Sequence, residues 1–211
     1  MADGPTCLPP LEPDDDPALR ARLAAAHVAI IGCGGLGSNA AGMLVRCGVG
    51  ELTLIDFDVV EESNLNRQLY FRDQLGRPKT EALRETLVRI YPDVVLHVHQ
   101  ECATSENLAS LVQGADVVIE AGDRAEVKAM IANTVLAQMP GTPLVSASGL
   151  AGFDSANEVV TEQIADGFYL VGDLRSDVRL GHSLFASRVM VAAAHEAVSY
   201  THLTLPTIYS V

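Results

Sequence analysis

The segment VAIIGCGGLGSN, residues 28–39, constrains the fold more than any other part of the chain. It places an apolar run directly before a glycine-rich turn, which leads into residues that favour a helix. Gly32, Gly34 and Gly37 give the spacing G-x-G-x-x-G, and Asp56 closes the next apolar run. This combination is typical of a nucleotide site, with phosphate at the helix N-terminus and ribose on the acidic residue. The fingerprint alone does not distinguish NAD from ATP.

Apolar runs rich in Val, Ile and Leu alternate along the chain with helical periodicity. The predicted strands are His27–Gly32, Glu51–Asp56, Val94–His99, Ala115–Ala121 and Pro143–Ser148. The predicted helices are Leu36–Cys47, Lys79–Tyr91, Ser105–Gln113 and Arg124–Gln138. Each helix returns the chain from one strand to the next. The alternation predicts a Rossmann-like α/β fold, a doubly wound, mostly parallel sheet with helices on both faces and a ligand site beyond the carboxyl ends of its strands.

Composition narrows the classes of partner and compartment. The 211 residues are 48% hydrophobic and 19% charged, enough apolar residues for a globular core. With 14 basic and 27 acidic residues, the net charge of -13 argues against nucleic acid or an anionic membrane as partner. No apolar run reaches spanning length, and the acidic, proline-rich start is unlike a signal peptide. We therefore expect a cytoplasmic protein.

The four cysteines form no C-x-x-C pair. Neither a zinc ribbon nor a disulfide framework is therefore indicated. We expect no zinc, and we interpret Cys33, Cys47 and Cys102 as packing residues rather than nucleophiles.

Polar residues after Asp56 favour a triphosphate over a dinucleotide. Asp58 supplies a second carboxylate, and the run that follows it contains Arg67. Lys79 lies at the predicted start of a helix. Two cations near a phosphate site suit a triphosphate, whose charge exceeds that of a pyrophosphate diester. An ordinary hydride-transfer enzyme needs no such cluster at this point, although single basic residues are often simply solvated.

Four ordered motifs resemble one known family. The segments GCGGLGSN, DFDVVEESNLNRQ, GRPKTEA and EAGDRAEVKAM are similar to those of the ThiF/MoeB/ubiquitin-activating adenylyltransferases, and most of all to its short-form members that act on the sulfur carrier ThiS. The later segments SASGLAGFDSANEVVTEQI, FYLVGD and SRVMVAAAHEA are also similar to that short form. The resemblance extends over about residues 28–197.

The resemblance implies a set of nucleotide-binding residues. They are Gly32, Gly34, Gly35, Gly37, Asp56, Asp58, Asn64, Arg67, Gln68 and Lys79. By the family pattern the glycines line the ATP phosphates and Asp56 holds the ribose, while Arg67 and Lys79 contact phosphate. Asp123 matches the aspartate that holds Mg²⁺, so Arg67, Lys79 and Asp123 are the implied catalytic residues. Each residue type also has an ordinary structural use: glycine in turns, aspartate as a helix cap and lysine in solvent.

The implied reaction activates the C-terminal glycine carboxylate of a ubiquitin-like sulfur carrier protein, ThiS-like and serving thiazole formation in thiamine biosynthesis. ATP and Mg²⁺ are the implied cofactors, and the products are an acyl-adenylate and pyrophosphate. Three alternatives stay open: a family member acting on a MoaD-like carrier or on modified tRNA, an NAD(P)-dependent oxidoreductase that shares only the glycine fingerprint, and a binding-only relative that positions a carrier without activating it. The resemblance also implies a homodimer.

Three segments are distinguished along the chain. Residues 1–26 are interpreted as an N-terminal arm with a short helix, and residues 27–197 as the ATP-binding domain. Residues 198–211, VSYTHLTLPTIYSV, depart from helical periodicity and resemble a translated adapter sequence. We expect the helical pattern to end there and assign no function to this tail.

Overall fold

A computed structural model describes residues 17–176 and 183–204. Its centre is a seven-stranded sheet in the order β3-β2-β1-β4-β5-β7-β6. The strands are β1 His27–Ile31, β2 Glu51–Ile55, β3 Val95–His99, β4 Val117–Glu120, β5 Leu144–Ala147, β6 Val160–Ala165 and β7 Phe168–Gly172. Neighbouring strands run parallel except β6, which pairs antiparallel with β7 at the edge.

Helices cover both faces of the sheet. They are α1 Pro17–Ala25, α2 Gly35–Arg46, α3 Lys79–Ile90, α4 Leu108–Leu111, α5 Ala125–Gln138 and α6 Ala186–Thr204. One apolar core joins α1, α2, α3 and α6 to the sheet, and a second core joins α4 and α5 to its other side. Alternate strand residues enter the two cores, so Ile30 and Ile119 belong to the first and Ile31 and Val118 to the second. The predicted α/β fold with helices on both faces is confirmed.

The strand order reverses between β1 and β4. The chain moves outward from β1 to β2 and β3 on one side, and from β4 to β5 on the other. The register pairs Val28 with both Leu52 and Val117, so the carboxyl ends of the three strands are level. An open α/β sheet forms its ligand crevice at such a switch point.

The glycine turn between β1 and α2 depends on two glycines. Gly32 has φ +97°, and a Cβ there would lie 2.8 Å from the Ala121 carbonyl oxygen, because the turn contacts the segment after β4. A Cβ on Gly37 would lie 1.9 Å from the Gly32 carbonyl oxygen. Both positions therefore exclude a side chain, and the start of α2 packs directly against the end of β1.

The predicted elements form, with local differences. The helix expected over Ser105–Gln113 is confined to α4, because Thr104 and Asn107 exchange side-chain and backbone hydrogen bonds in a local turn before it. Strands β6 and β7 were not predicted. All six residues of β6 are exposed, so its sequence lacks the apolar content of a buried strand.

The chain ends also differ from expectation. The short helix expected within residues 1–26 is α1, and residues 1–16 lie outside the described part. Helix α6 continues through Thr204, so the expectation that the helical pattern ends at Val198 is wrong. Buried Tyr200 lies in this continuation. In residues 17–176 and 183–204, no helix is both long and apolar enough to span a bilayer.

Candidate functional site

A cavity of about 530 Å³ opens at the carboxyl ends of β1, β2, β4 and β5. Most of the predicted site residues line it: Gly32, Gly34, Gly35, Asp56, Asp58, Arg67, Gln68, Lys79 and Asp123. Gly37 and Asn64 lie outside the lining. Gly37 packs α2 against β1, and Asn64 is buried in the loop before Arg67. The fold therefore brings residues from separate sequence motifs to one surface at the switch point.

Asp56 holds the glycine turn from below. Its carboxylate accepts a hydrogen bond from the Cys33 N–H at 2.6 Å and another from the Asp58 N–H at 2.8 Å. Each carboxylate oxygen has a further lone pair, so these bonds leave capacity for a ribose hydroxyl. The Asp56 carboxylate thus holds the glycine turn in place and can also accept a hydrogen bond from the predicted nucleotide.

Lys79 is already paired in this structure. Its ammonium lies 2.8 Å from the Asp58 carboxylate, with 8% of the lysine side chain exposed and 49% of the aspartate. The Tyr70 hydroxyl lies 2.7 Å from the carbonyl oxygen of Cys33 and 3.3 Å from that of Lys79. The glycine turn and the first residue of α3 are therefore connected through one buried phenol. Burial raises the pKa of that phenol, so it stays protonated and acts as a donor.

The loop with Arg67 is fastened to the start of α2. The Asn39 amide donates to the carbonyl oxygens of Gly35 at 2.7 Å and Arg67 at 2.9 Å. Asn64 accepts from the Glu61 N–H with its side chain, and its carbonyl oxygen accepts from Arg67 N–H at 3.2 Å. The sequence analysis assigned no role to Asn39. The available indication of a role was that Asn39 is a buried polar residue in the mostly apolar helix α2.

Arg67 extends its stem over Gly35. Its guanidinium donates to the Ser63 carbonyl oxygen at 3.1 Å and the Asn66 side-chain oxygen at 2.7 Å, both neutral acceptors. Beside it, the Gln68 side-chain oxygen is buried and accepts no hydrogen bond from any described residue. Positive charge and an unsatisfied amide therefore lie next to the N-terminus of α2, where backbone N–H groups already favour an anion.

Asp123 lies in the turn between β4 and α5, exposed toward the cavity. Within residues 17–176 and 183–204, its carboxylate takes part in no hydrogen bond or ion pair. No cluster of three or more His, Cys, Asp or Glu side chains suited to a metal occurs in that part of the chain. A fixed all-protein metal cage is absent from the described residues, and Asp123 is left as a single available carboxylate.

Behind this turn lies a buried polar group that was not predicted from the sequence. Glu120, fully buried at the end of β4, contacts Lys128 of α5 and Ser146 of β5. A buried ion pair was also missed: Asp173 contacts Arg188, and the Asp173 carboxylate lies beside Gly149, a residue of the cavity lining. Lone charged residues in apolar segments were the available signal, but their partners are distant in sequence.

The cysteines divide by burial. Cys33 is buried in the glycine turn, as expected of a packing residue. Burial, and to a smaller extent the negative charge of nearby Asp56, raises the pKa of its thiol well above the ordinary value. Cys47 and Cys102 are exposed, so the packing interpretation is wrong for both. Cys47 follows the last residue of α2, and Cys102 lies shortly after β3. A side chain beyond the end of a helix or strand need not face the core.

Related sequences match this chain over different lengths. The sulfur carrier protein ThiS adenylyltransferase of Escherichia coli K12 is 38% identical over 158 residues, covering 74% of this chain and 62% of that protein. The adenylyltransferase and sulfurtransferase MOCS3 of Xenopus laevis is 37% identical over 130 residues, 61% of this chain and 28% of that protein. Ubiquitin-like modifier-activating enzyme 5 of Caenorhabditis elegans is 46% identical over 86 residues, 40% of this chain and 20% of that enzyme. The chain thus spans less than two thirds of the length of each of these relatives.

Solved structures agree on the fold. The E. coli tRNA N6-threonylcarbamoyladenosine dehydratase TcdA in complex with ATP superposes with a TM-score of 0.81 at 24% identity, covering 89% of each chain. E. coli MccB with ATP gives a TM-score of 0.69 at 23% identity, over 88% of this chain and 57% of that one. The ThiF family matches residues 12–169, most of the length of this protein. Taken with the cavity at the switch point, this match establishes that the chain belongs to the ThiF family.

Proposed function

We propose that this protein is an ATP-dependent adenylyltransferase that activates the C-terminal glycine carboxylate of a ThiS-like sulfur carrier protein. The observation that carries the proposal is the convergence of Arg67, Lys79 and Asp123 with the glycine turn and Asp56 on one cavity. These residues come from four different sequence motifs, and together they offer sites for ribose, phosphate and a divalent cation.

The nucleotide would lie with its phosphates over the N-terminus of α2. The first residues of α2 and Arg67 line the cavity at this position, and the helix N-terminus and the arginine charge both favour an anion. Asp56 lies at the end of β2, where a ribose hydroxyl can donate to it. The cavity volume of about 530 Å³ is within the range of nucleotide-sized ligands.

Mg²⁺ fits the donor set around Asp123. This ion is commonly held by one or two carboxylates together with phosphate oxygens of the substrate, so a single available carboxylate beside a phosphate site is sufficient. When bound, the ion would neutralise charge on the phosphates. The fit explains why no protein-only metal cluster is needed.

The reaction requires alignment rather than a strong base. A carrier carboxylate is ionised at neutral pH, and one of its oxygens attacks the α-phosphorus of ATP. A new P–O bond to the carboxylate forms while the bond from the α-phosphorus to the bridging oxygen breaks, and that electron pair leaves with pyrophosphate. Arg67 and Lys79 stabilise the charge that grows on the phosphates, provided that Lys79 exchanges Asp58 for phosphate.

The identity of the acceptor is proposed from the relatives of this chain. The ThiS adenylyltransferase of E. coli supports a ThiS-like carrier, because it is the relative that this chain covers most fully among those described above. TcdA shares the fold, and its name refers to a modified tRNA, which keeps the tRNA alternative as an outcome of the test. A MoaD-like carrier is the other alternative within the family. Homodimerisation and a cytoplasmic location remain predictions.

ATP–pyrophosphate exchange with Mg²⁺ tests the proposal. We expect exchange only when a ThiS-like carrier ending in Gly-Gly is present, and none when its terminal carboxylate is amidated. Asp123→Ala and Arg67→Ala should abolish exchange while the circular dichroism spectrum stays native. Arg72→Ala is the matched control, since Arg72 is an exposed arginine of the same loop region, outside the cavity lining, and pairs with Glu62.

Other outcomes redirect the assignment. ATP binding without exchange on any carrier, but with turnover of modified tRNA, would move the function to the tRNA alternative. Reduction of NAD(P) with no ATP binding would replace the adenylyltransferase by an oxidoreductase. Full exchange in Asp123→Ala or Arg67→Ala would remove that residue from the mechanism.

A further inference from the structure

Glu120 forms a buried, fully bonded anchor behind the proposed magnesium ligand. Its carboxylate has no exposed surface. One oxygen accepts from the Gly122 N–H at 2.7 Å, and the other accepts from the Lys128 ammonium at 2.7 Å and the Ser146 hydroxyl at 2.6 Å. A buried carboxylate is costly unless paired and hydrogen-bonded, and here both conditions are met.

The three donors come from three elements that surround one turn. Gly122 lies in the turn after β4, Lys128 lies in the first part of α5, and Ser146 belongs to the neighbouring strand β5. Asp123 follows Gly122 directly, so the chain is fastened to Glu120 on both sides of it. The position of Asp123 is therefore set by the Glu120 carboxylate rather than by contacts of its own side chain.

The same turn is fastened to the phosphate site. The Ala121 N–H donates to the Ile31 carbonyl oxygen at 2.8 Å, and the Ala121 carbonyl packs against Gly32. Ala121 and Gly122 therefore connect Glu120 both to the glycine turn and to Asp123. A shift of the turn would change the distance from Asp123 to anything bound over the N-terminus of α2.

Lys128 is not a free cation for the ligand. It lines the cavity with 23% of its side chain exposed, but its ammonium contacts Glu120, whose side chain is fully buried. Its charge offsets that of the carboxylate, so its effect on a phosphate at the site is reduced. The contact between Lys128 and Glu120 indicates that Lys128 stabilises the turn after β4.

We propose that Glu120, with Lys128 and Ser146, is a positioning residue that holds Asp123 where a Mg²⁺–nucleotide complex meets it. This inference rests on the proposed function through the role of Asp123. Groups that orient metal ligands commonly contribute 10- to 100-fold to metal affinity. We expect the Mg²⁺ concentration for half-maximal ATP–pyrophosphate exchange to rise about 10-fold or more in Glu120→Gln.

Two measurements on the full chain test the inference. The first is backbone hydrogen exchange of residues 121–124 without nucleotide, which should speed up in Glu120→Gln and Lys128→Met while α2 and α3 keep their protection. The second is the Mg²⁺ titration of exchange activity. Lys128→Arg keeps the positive charge, so its hydrogen-exchange rate and its Mg²⁺ requirement should lie closer to those of wild type than the values of Lys128→Met do. Ser146→Ala is a milder change that keeps the Glu120–Lys128 ion pair, and it replaces Glu120→Gln if that variant does not fold.

A matched control separates this role from general stability. Arg77→Met removes the cation of another ion pair, the exposed pair between Arg77, which precedes α3, and Glu85 of α3, and it should change neither value. The inference would be overturned if the backbone hydrogen exchange of residues 121–124 were unchanged in both Glu120→Gln and Ser146→Ala. A loss of protection spread evenly over the sheet with an unaltered Mg²⁺ requirement would overturn it as well. Absence of exchange activity in the wild type would instead contradict the proposed function and leave the hydrogen-exchange test standing.

Discussion

The buried ion pair of Asp173 and Arg188 makes the stability of the protein depend on pH. Asp173 and Arg188 contact each other at 2.5 Å with 2% and 3% of their side chains exposed. Burial alone would raise the pKa of the Asp173 carboxyl, but hydrogen bonds from the Ser176 and Arg175 N–H groups and from Arg188 lower it from 3.8 to about 2. We therefore choose Asp173→Asn, which keeps the shape and removes the charge.

The magnitude follows from the difference between the folded and unfolded pKa. Because the folded value is depressed, the stabilisation is present above pH 3.8 and is lost as pH falls through about 2. At 1.36 kcal/mol per pKa unit, the carboxylate contributes about 2 kcal/mol at pH 6 and about 1 kcal/mol at pH 3. The free energy of unfolding of Asp173→Asn should thus be lower than that of wild type at pH 6, and the difference should shrink by about 1 kcal/mol between pH 6 and pH 3.

Urea unfolding of both proteins at pH 6, 5, 4 and 3 measures this gap, since other carboxylates titrate equally in the two chains and cancel. Asp166→Asn is the control: Asp166 is exposed and precedes a glycine in the β6–β7 turn, where asparagine is equally suited. A gap that stays constant between pH 6 and pH 3 would refute the reasoning, because it would mean that the Asp173 charge carries none of the stabilisation.

Three further predictions concern the turn and its surroundings. Tyr70→Phe removes the hydroxyl that contacts the Cys33 carbonyl, and we expect about 1 kcal/mol lower stability in urea with weaker ATP binding by titration calorimetry. Gly37→Ala places a Cβ against the Gly32 carbonyl oxygen and should cost about 1–3 kcal/mol or more, seen as a lower thermal midpoint; an unchanged midpoint would contradict the close packing of α2 on β1. Iodoacetamide should label Cys102 in the native protein but Cys33 only after unfolding, as mapped by peptide mass spectrometry, because burial raises the pKa of the Cys33 thiol and blocks access.

The central sheet was predictable because its signals are local. Strands β1, β2, β4 and β5 are buried on both faces and read as uninterrupted apolar runs. The hairpin of β6 and β7 was not predictable in this way, since β6 is exposed on both faces and its pairing depends on a neighbour. The ending of α6 was misjudged for a related reason: Tyr200 is buried by tertiary packing that a local period does not report.

The candidate site was predictable where a residue type acts alone. Glycine spacing and a terminal aspartate indicated Gly32, Gly34 and Asp56 without knowledge of their neighbours. The supporting pairs were not found, because Glu120 meets Ser146 and Asp173 meets Arg188 only after folding. Their sequences show a lone charge in an apolar context, which is compatible with many environments. Asn64 lies in the loop instead of the cavity lining, where its side-chain oxygen accepts a local hydrogen bond from the Glu61 N–H.

The proposed binding of a triphosphate by so acidic a chain depends on how the basic residues of the cavity are paired. The basic residues lining the cavity are Arg67, Lys79, Arg124 and Lys128. Three of them contact a carboxylate, of Asp58, Glu126 and Glu120 respectively, whereas Arg67 contacts only neutral oxygens among the described residues. Since a paired cation must give up or share its carboxylate to bind phosphate, Arg67 is the one best placed to attract ATP first. Lys79 would follow by leaving half-exposed Asp58, because water can solvate that carboxylate when the pair opens, whereas buried Glu120 holds Lys128 in place.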